Sequence, residues 1–130
     1  MHITTEVILR HQYRVPQLDA VGCNHNTEVW SRRFRGNFGM MPDHAASLWN
    51  ALDDMDPMSN SGWVYYFLMT LFFLRNYSVM EVMCLVWMRD EKTVKYWTWR
   101  FIEKLSFLDK VRSYVYDASS IILLRNNHSP

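Results

Sequence analysis

The stretch SVMEVMCLVWMRDEKTVKYWTWRFIEKLSFL, residues 78–108, decides the fold. Two helical segments meet in it at Met88-Arg89-Asp90. In the second, Val94, Trp97, Phe101, Leu105 and Leu108 are spaced 3, 4, 4 and 3, which is one face of a helix. That helix is predicted from Glu91 to about Phe107, with Asp90 placed to cap it. The first segment is predicted from Val79 to about Trp87. Ser78, with Glu81 three residues on, matches a capping box, in which each side chain satisfies a free backbone N–H at the other's position. A short helix, a tight connection and a longer amphipathic helix make a helix-turn-helix pair at roughly 79–107.

Working outward, residues Trp63 to Leu74 are apolar or aromatic except for Thr70. They predict a helix to about Arg75 that is apolar on nearly every face, so either central in the fold or covered by a partner. The run is shorter than the ~20 residues of a membrane span. Before it, Pro42 stands at a first-turn position with Asp43 beside it. Ala45, Leu48, Trp49 and Leu52 form the stripe of that helix. Asp53, Asp54 and Asp56 close it and are read as a solvated loop rather than a metal cluster. Earlier still, Val29, Trp30, Phe34 and Phe38 predict a helix from Thr27, which Thr27 can cap and Gly36 and Gly39 end. Residues 1–26 are read as an irregular arm with one short helix over Glu6–Tyr13. In the C-terminal segment 109–130, a weaker element over Val111–Leu124 is open between helix and strand. The expected fold class is all-α with about five helices, the helical domain covering 27–108.

Composition bounds the rest. A chain of 130 residues has room for one modest core. Hydrophobic residues at 49% and charged residues at 21% exclude a disordered tail. Gly 4 and Pro 4 exclude a linker-dominated chain, and aromatic residues at 15% with Trp 6 and Met 9 point to packed helices. Met69, Met80, Met83 and Met88 are read as core fillers before a Met-rich groove. A formal charge of +1 gives no global field toward nucleic acid or membrane. Cys23 and Cys84 form no disulfide framework, which favours a reducing compartment. Cys23-Asn24-His25 has no second ligand pair nearby, so neither metal nor cofactor is expected. The N-terminus lacks the basic-then-apolar order of a signal peptide.

The candidate interface lies in the second helix of the pair. Its first turns carry Lys92, Thr93, Lys95 and Tyr96, with Arg100 a turn later and Arg89 in the connection. These types reach phosphates and base edges in a major groove. Seven basic and four acidic residues give residues 89–112 a local charge of +3. Asp90 and Glu91 oppose phosphate at the mouth of the groove. Arg32, Arg33 and Arg35 are secondary phosphate contacts. Trp97, Phe101 and Leu105 belong to the core. Trp99 falls on the polar side, either under a neighbouring helix or on a partner surface. His44 is a surface histidine.

The residues LFFLRNYSVMEV (71–82), DEKTVKYW (90–97) and WRFIEKL (99–105) resemble the N-terminal region of Harbinger-like DDE-superfamily transposases. Phe34 to Gly39 and Leu48-Trp49 resemble the upstream part of that region, so the resemblance covers roughly 34–108. It implies a helix-turn-helix module that positions an enzyme on double-stranded DNA in the nucleus. The family usually has a glycine where Met88 stands and a small apolar residue where Arg89 stands. Its catalytic domain would follow, with three acidic residues holding divalent metal. After Leu108 only 22 residues remain, with Asp109 and Asp117 the acids among them. The resemblance therefore implies a recognition end without transposase or nuclease activity. The competing class is a helical protein-interaction or structural domain, with Trp99 toward a partner. A third is a decayed transposon remnant without present function.

Overall fold

The computed structural model describes residues 1–15, 18 and 27–128, with Thr27 and residues 110–128 as backbone alone. Among the described residues it is all-α, with helices α1 (Thr5–Tyr13), α2 (Thr27–Phe38), α3 (Pro42–Met55), α4 (Trp63–Asn76), α5 (Met80–Trp87) and α6 (Glu91–His128), and no strand. Cys23-Asn24-His25 and the turn residues Pro16 and Gly22 lie outside the described residues.

The apolar run of α4 makes it the centre of the fold. Val64, Phe67, Leu68, Met69, Thr70, Leu71 and Phe72 are all buried. The helix packs against α1, α2 and α6. Thr70 satisfies its hydroxyl by donating to the Tyr66 carbonyl at 2.9 Å, one turn back. Trp30, Trp49 and Trp87 are fully buried around it, with Phe34, Phe38 and Phe101. Trp49 meets Phe67 at 5.6 Å between centroids, and Phe67 meets Phe101 at 5.8 Å. Such tilted and edge-on pairs let the negative faces of the rings meet positive edges.

Residues 1–15 belong to this core. Ile3, Ile8, Leu9 and Val15 are buried. Thr4 caps α1 by accepting from the Val7 N–H. Asn50 on α3 fixes the chain ahead of it: its amide oxygen accepts from the Ile3 N–H at 2.7 Å and its NH2 donates to the Ile3 carbonyl at 3.0 Å.

Several local expectations are corrected. The box at Ser78 does not form, because α5 begins at Met80 with Val79 as its cap residue and no side-chain cap bond. Tyr77 ends α4 in the left-handed conformation (φ 50°, ψ 38°) and turns the chain there, which leaves Ser78 one residue too early to cap. Gly36 does not end α2, which continues to Phe38. Gly39 ends it, with φ +77° and its N–H donating to the Arg35 carbonyl at 2.9 Å. The elements predicted over Glu91–Phe107 and Val111–Leu124 are one helix. At about 1.5 Å per residue, α6 is about 57 Å long.

Of the aspartates after Leu52, Asp54 and Asp56 are exposed as expected, but the solvated-loop reading fails for Asp53. Asp53 and Asp54 sit inside α3, and Asp53 is buried. Its carboxylate accepts from the Met1 ammonium and from the Met58 N–H, the latter at 2.8 Å. Asp56 pairs with Lys104 of α6. The methionines divide: Met69 and Met83 are fully buried, Met80 is partly so, and Met88 is 61% exposed.

Candidate nucleic-acid interface

The connection Met88-Arg89-Asp90 joins α5 to α6 with its first residue left-handed. Met88 has φ 53° and ψ 46°, and its N–H donates to the Cys84 carbonyl. A glycine would take this conformation without strain. A side chain takes it at a cost of about 1–2 kcal/mol. Tyr65 secures the turn by donating its hydroxyl hydrogen to the Trp87 carbonyl.

Asp90 caps α6. It accepts from the Thr93 N–H at 3.4 Å and from the Thr93 hydroxyl at 2.5 Å. These bonds, the hydroxyl's first, hold the Asp90 carboxyl below its usual range. Thr93 is thereby committed to the helix start rather than free for a base edge.

The phase of α6 follows from its buried side. Val94 and Phe101 are fully buried, and Leu108 nearly so. Trp97 is partly buried and stacks on Tyr66, with centroids 4.5 Å apart and planes 6° apart. With these residues inward, Lys92, Lys95, Tyr96, Trp99, Arg100, Glu103 and Lys104 line one open concavity of about 710 Å³, closed at one side by Asp56. Four expected contacts, Lys92, Lys95, Tyr96 and Arg100, therefore come together on one face. Trp99 stands among them 65% exposed, so of its two readings the packed one is removed.

Neighbours moderate the charge of this face. Lys95 pairs with Glu91 at 2.7 Å, one turn earlier. Lys104 is only 11% exposed and pairs with Asp56, whose carboxyl it holds below the usual range. Arg100 donates to the Tyr96 hydroxyl at 2.7 Å, and its guanidinium lies 5.2 Å over the Trp63 ring and 5.6 Å over Trp97. Among the described residues, Lys92 has no carboxylate partner.

Arg89 does not join this face. Its guanidinium lies 4.7 Å over the Tyr65 ring and 5.8 Å over Tyr66. Its Nε donates to the Tyr66 hydroxyl at 3.4 Å and its Nη1 to the Met88 carbonyl at 2.9 Å. The bond to Tyr66 holds the guanidinium proton more tightly than usual. Arg32, Arg33 and Arg35 are on α2, whereas the principal neighbours of α6 are α3, α4 and α5. Arg32 pairs with Glu28 at 2.7 Å, and Arg33 lies 5.5 Å over Trp30. Arg35 is exposed.

No family model, curated protein or solved structure matches this chain. The candidate site accordingly rests on its own geometry.

Two features escaped the sequence reading. The Tyr65-Tyr66 pair is the seat of Arg89, and its signal was two phenols at the start of an otherwise apolar helix. His2, Asp53 and Asp54 bring three ligand-type atoms within 4.8 Å of one another. The Met1 ammonium already supplies a cation to Asp53 there, and His2 lies 2.6 Å from Asp54. Among the described residues no helix is long and apolar enough to cross a membrane.

Proposed function

We propose that this chain is a non-catalytic, transposase-derived module that binds double-stranded DNA by laying α6 in the major groove. The nucleus is then its place of action. The observation that carries the reading is the outward face shared by Lys92, Lys95, Tyr96 and Arg100, on the second helix of a pair joined by three residues. The kinship rests on Asp90–Trp97 and the flanking residues quoted above.

The test is fluorescence anisotropy of labelled duplexes of varied sequence, titrated with the full chain from low to physiological salt. Binding should weaken as salt rises, because each neutralised phosphate releases counterion. Lys92→Ala should lower the salt slope by about one phosphate unit. Absence of binding to every duplex at low salt sinks the proposal.

A specific observation favours a second reading, a helical protein-interaction domain. Trp99 is 65% exposed, and α5 and its flanks expose Val79 at 65% and Leu85 at 65%. Exposed large apolar side chains mark protein contacts more than phosphate contacts. Under this reading Trp99→Ala abolishes partner capture and leaves DNA affinity at background.

A further inference from the structure

A second cavity, sharing no lining residue with the α6 face, gathers two arginines and a histidine. His11 and Arg14 at the end of α1, Gly62 and Tyr65 at the start of α4, and Met88 and Arg89 together line a cavity of about 410 Å³. That is within the ~300–1,000 Å³ range of small-ligand sites. Among the described residues no carboxylate lines it.

The local acceptors are already taken. The Trp87 carbonyl receives the Tyr65 hydroxyl, the Met88 carbonyl receives Arg89 Nη1, and Arg89 N–H donates to the Cys84 carbonyl at 3.3 Å. At the end of α1, the His11 carbonyl receives the Arg14 N–H and the Gln12 carbonyl that of Val15. The side-chain donors are in the opposite condition. Among the described residues Arg14 has no ion pair and no side-chain hydrogen bond. His11 is 7% exposed, and its Nδ1 is buried without a partner. Arg89 is held in place by stacking on Tyr65 and by two bonds, so it is preorganised, as guanidinium sites for oxyanions are.

We propose that this cavity is a binding site for a phosphate group, held between the guanidinium groups of Arg14 and Arg89 with the imidazole of His11 beside them. The lining suits an anion, because among the described residues nothing negative offsets the held guanidinium of Arg89 and the unpaired one of Arg14. It favours an oxyanion over a halide, because donors approach from two places, the end of α1 and the α5–α6 connection, and planar guanidinium forks match pairs of oxygens. The site rests on its own residues, not on the α6 reading. The phosphate can belong to a small phosphorylated molecule or to a nucleic-acid backbone.

The experiment is a titration of the full chain with inorganic phosphate, followed by the His11 ring resonances in NMR. A saturable shift of His11, with His2 and His44 unmoved, is the expected result. Arg14→Ala should weaken it at least about tenfold, the loss of one charge-assisted hydrogen bond, and Arg14→Lys should restore part of it. Arg14 is exposed, so its variants should unfold at the wild-type urea midpoint. A second arm adds a duplex oligonucleotide. If the duplex moves His11 in an Arg14-dependent manner and free phosphate does not, the site stands as a backbone-phosphate contact. If both leave His11 unmoved, or Arg14→Ala has no effect, the proposal fails. Duplex binding that leaves His11 unmoved would support the α6 reading alone, and so separates the two.

Discussion

The indole of Trp97 lies flat on the phenol of Tyr66, with the planes 6° apart and the centroids separated by 4.5 Å. This stack, with Trp63 meeting the same indole at 5.3 Å, sets the rotation of α6 on α4. That rotation decides which side chains form the outer face. Trp97→Ala should therefore destabilise the chain by about 3 kcal/mol, near the lower end for loss of a packed aromatic. Trp99→Ala, two residues on, should change stability by no more than about 0.5 kcal/mol, as for an exposed position. Urea unfolding of both variants checks the pair. Equal losses would mean that Trp97 does not face α4.

Met88 carries a side chain in a left-handed conformation where glycine has no penalty. Its side chain is 61% exposed, so removing it forfeits little packing. Met88→Gly should stabilise the fold by about 1 kcal/mol, the relieved strain less the added freedom of the unfolded chain. A raised urea midpoint at unchanged slope is the expected observation. A lowered midpoint would mean that the turn is not left-handed.

The two glycines around the end of α2 should respond in opposite senses. Gly36 is helical, and an added Cβ meets nothing within 4 Å. Gly36→Ala should stabilise by about 0.5–1 kcal/mol, the helix-interior difference between the two residues. Gly39 has φ +77°, and its Cβ would stand 3.0 Å from Arg75 Cδ. Arg75 is flexible enough to move aside, so the backbone sets the cost of Gly39→Ala at about 1–2 kcal/mol. Thermal unfolding of the two single variants measures both signs.

Much of this was legible in local patterns. The 3, 4, 4, 3 spacing of Val94 to Leu108 gave the inward side of α6, and the unbroken apolar run gave α4 its central place. The continuity of α6 was also legible, through absence: the chain has no glycine or proline between Gly62 and Pro130. The doubt between helix and strand came from the clustered Ile121 to Leu124, whose β-branched pair resembles a strand. What could not be read was anything settled by distant partners. Asp53 finds its cation at Met1, Asp56 finds Lys104, and Asn50 holds Ile3, each some fifty positions away in sequence. The cap at Ser78 failed for a different reason, since a left-handed Tyr77 carries no mark in its own side chain. For the candidate interface, the grouping of Lys92, Lys95, Tyr96 and Arg100 followed from helical phase. The departure of Arg89 toward Tyr65 required the tertiary fold.

Acid should lower the stability of the chain in two stages. Burial, and then the nearby charge of Arg14, lower the His11 pKa from 6.5. The unfolded chain thus takes up this proton more readily, and stability declines as pH falls below about 6.5. The second stage belongs to Asp53 and Asp56. Asp53 is lowered from 3.8 chiefly by the Met1 ammonium, then by the Met58 N–H, and Asp56 by Lys104. For a depressed carboxyl the contribution is fully present above the unfolded value and is lost as pH falls through the folded one. Urea midpoints should therefore drop between pH 7 and 5, and again below about pH 4. Lys104→Met should reduce the second drop and spare the first. A midpoint that rises on acidification would contradict both assignments.

Glu91 and Lys95 are the pair in which stability and the proposed function separate. They are one turn apart, with the acid on the N-terminal side, the favourable order for a helix, and their charges stand 2.7 Å apart. Both side chains are more than half exposed, so the pair stabilises α6 by only about 0.3–0.5 kcal/mol. Its effect on a polyanion is larger, because Glu91 neutralises a lysine at the groove-facing end of the helix. Glu91→Gln should free Lys95, tighten duplex binding at low salt, and raise the salt slope by about one phosphate unit. Lys95→Ala should weaken binding and lower the slope by about the same amount. Anisotropy titrations across a salt series measure both slopes. Identical slopes in the two variants and the parent would remove Lys95 from the interface and leave the protein-interaction reading in its place.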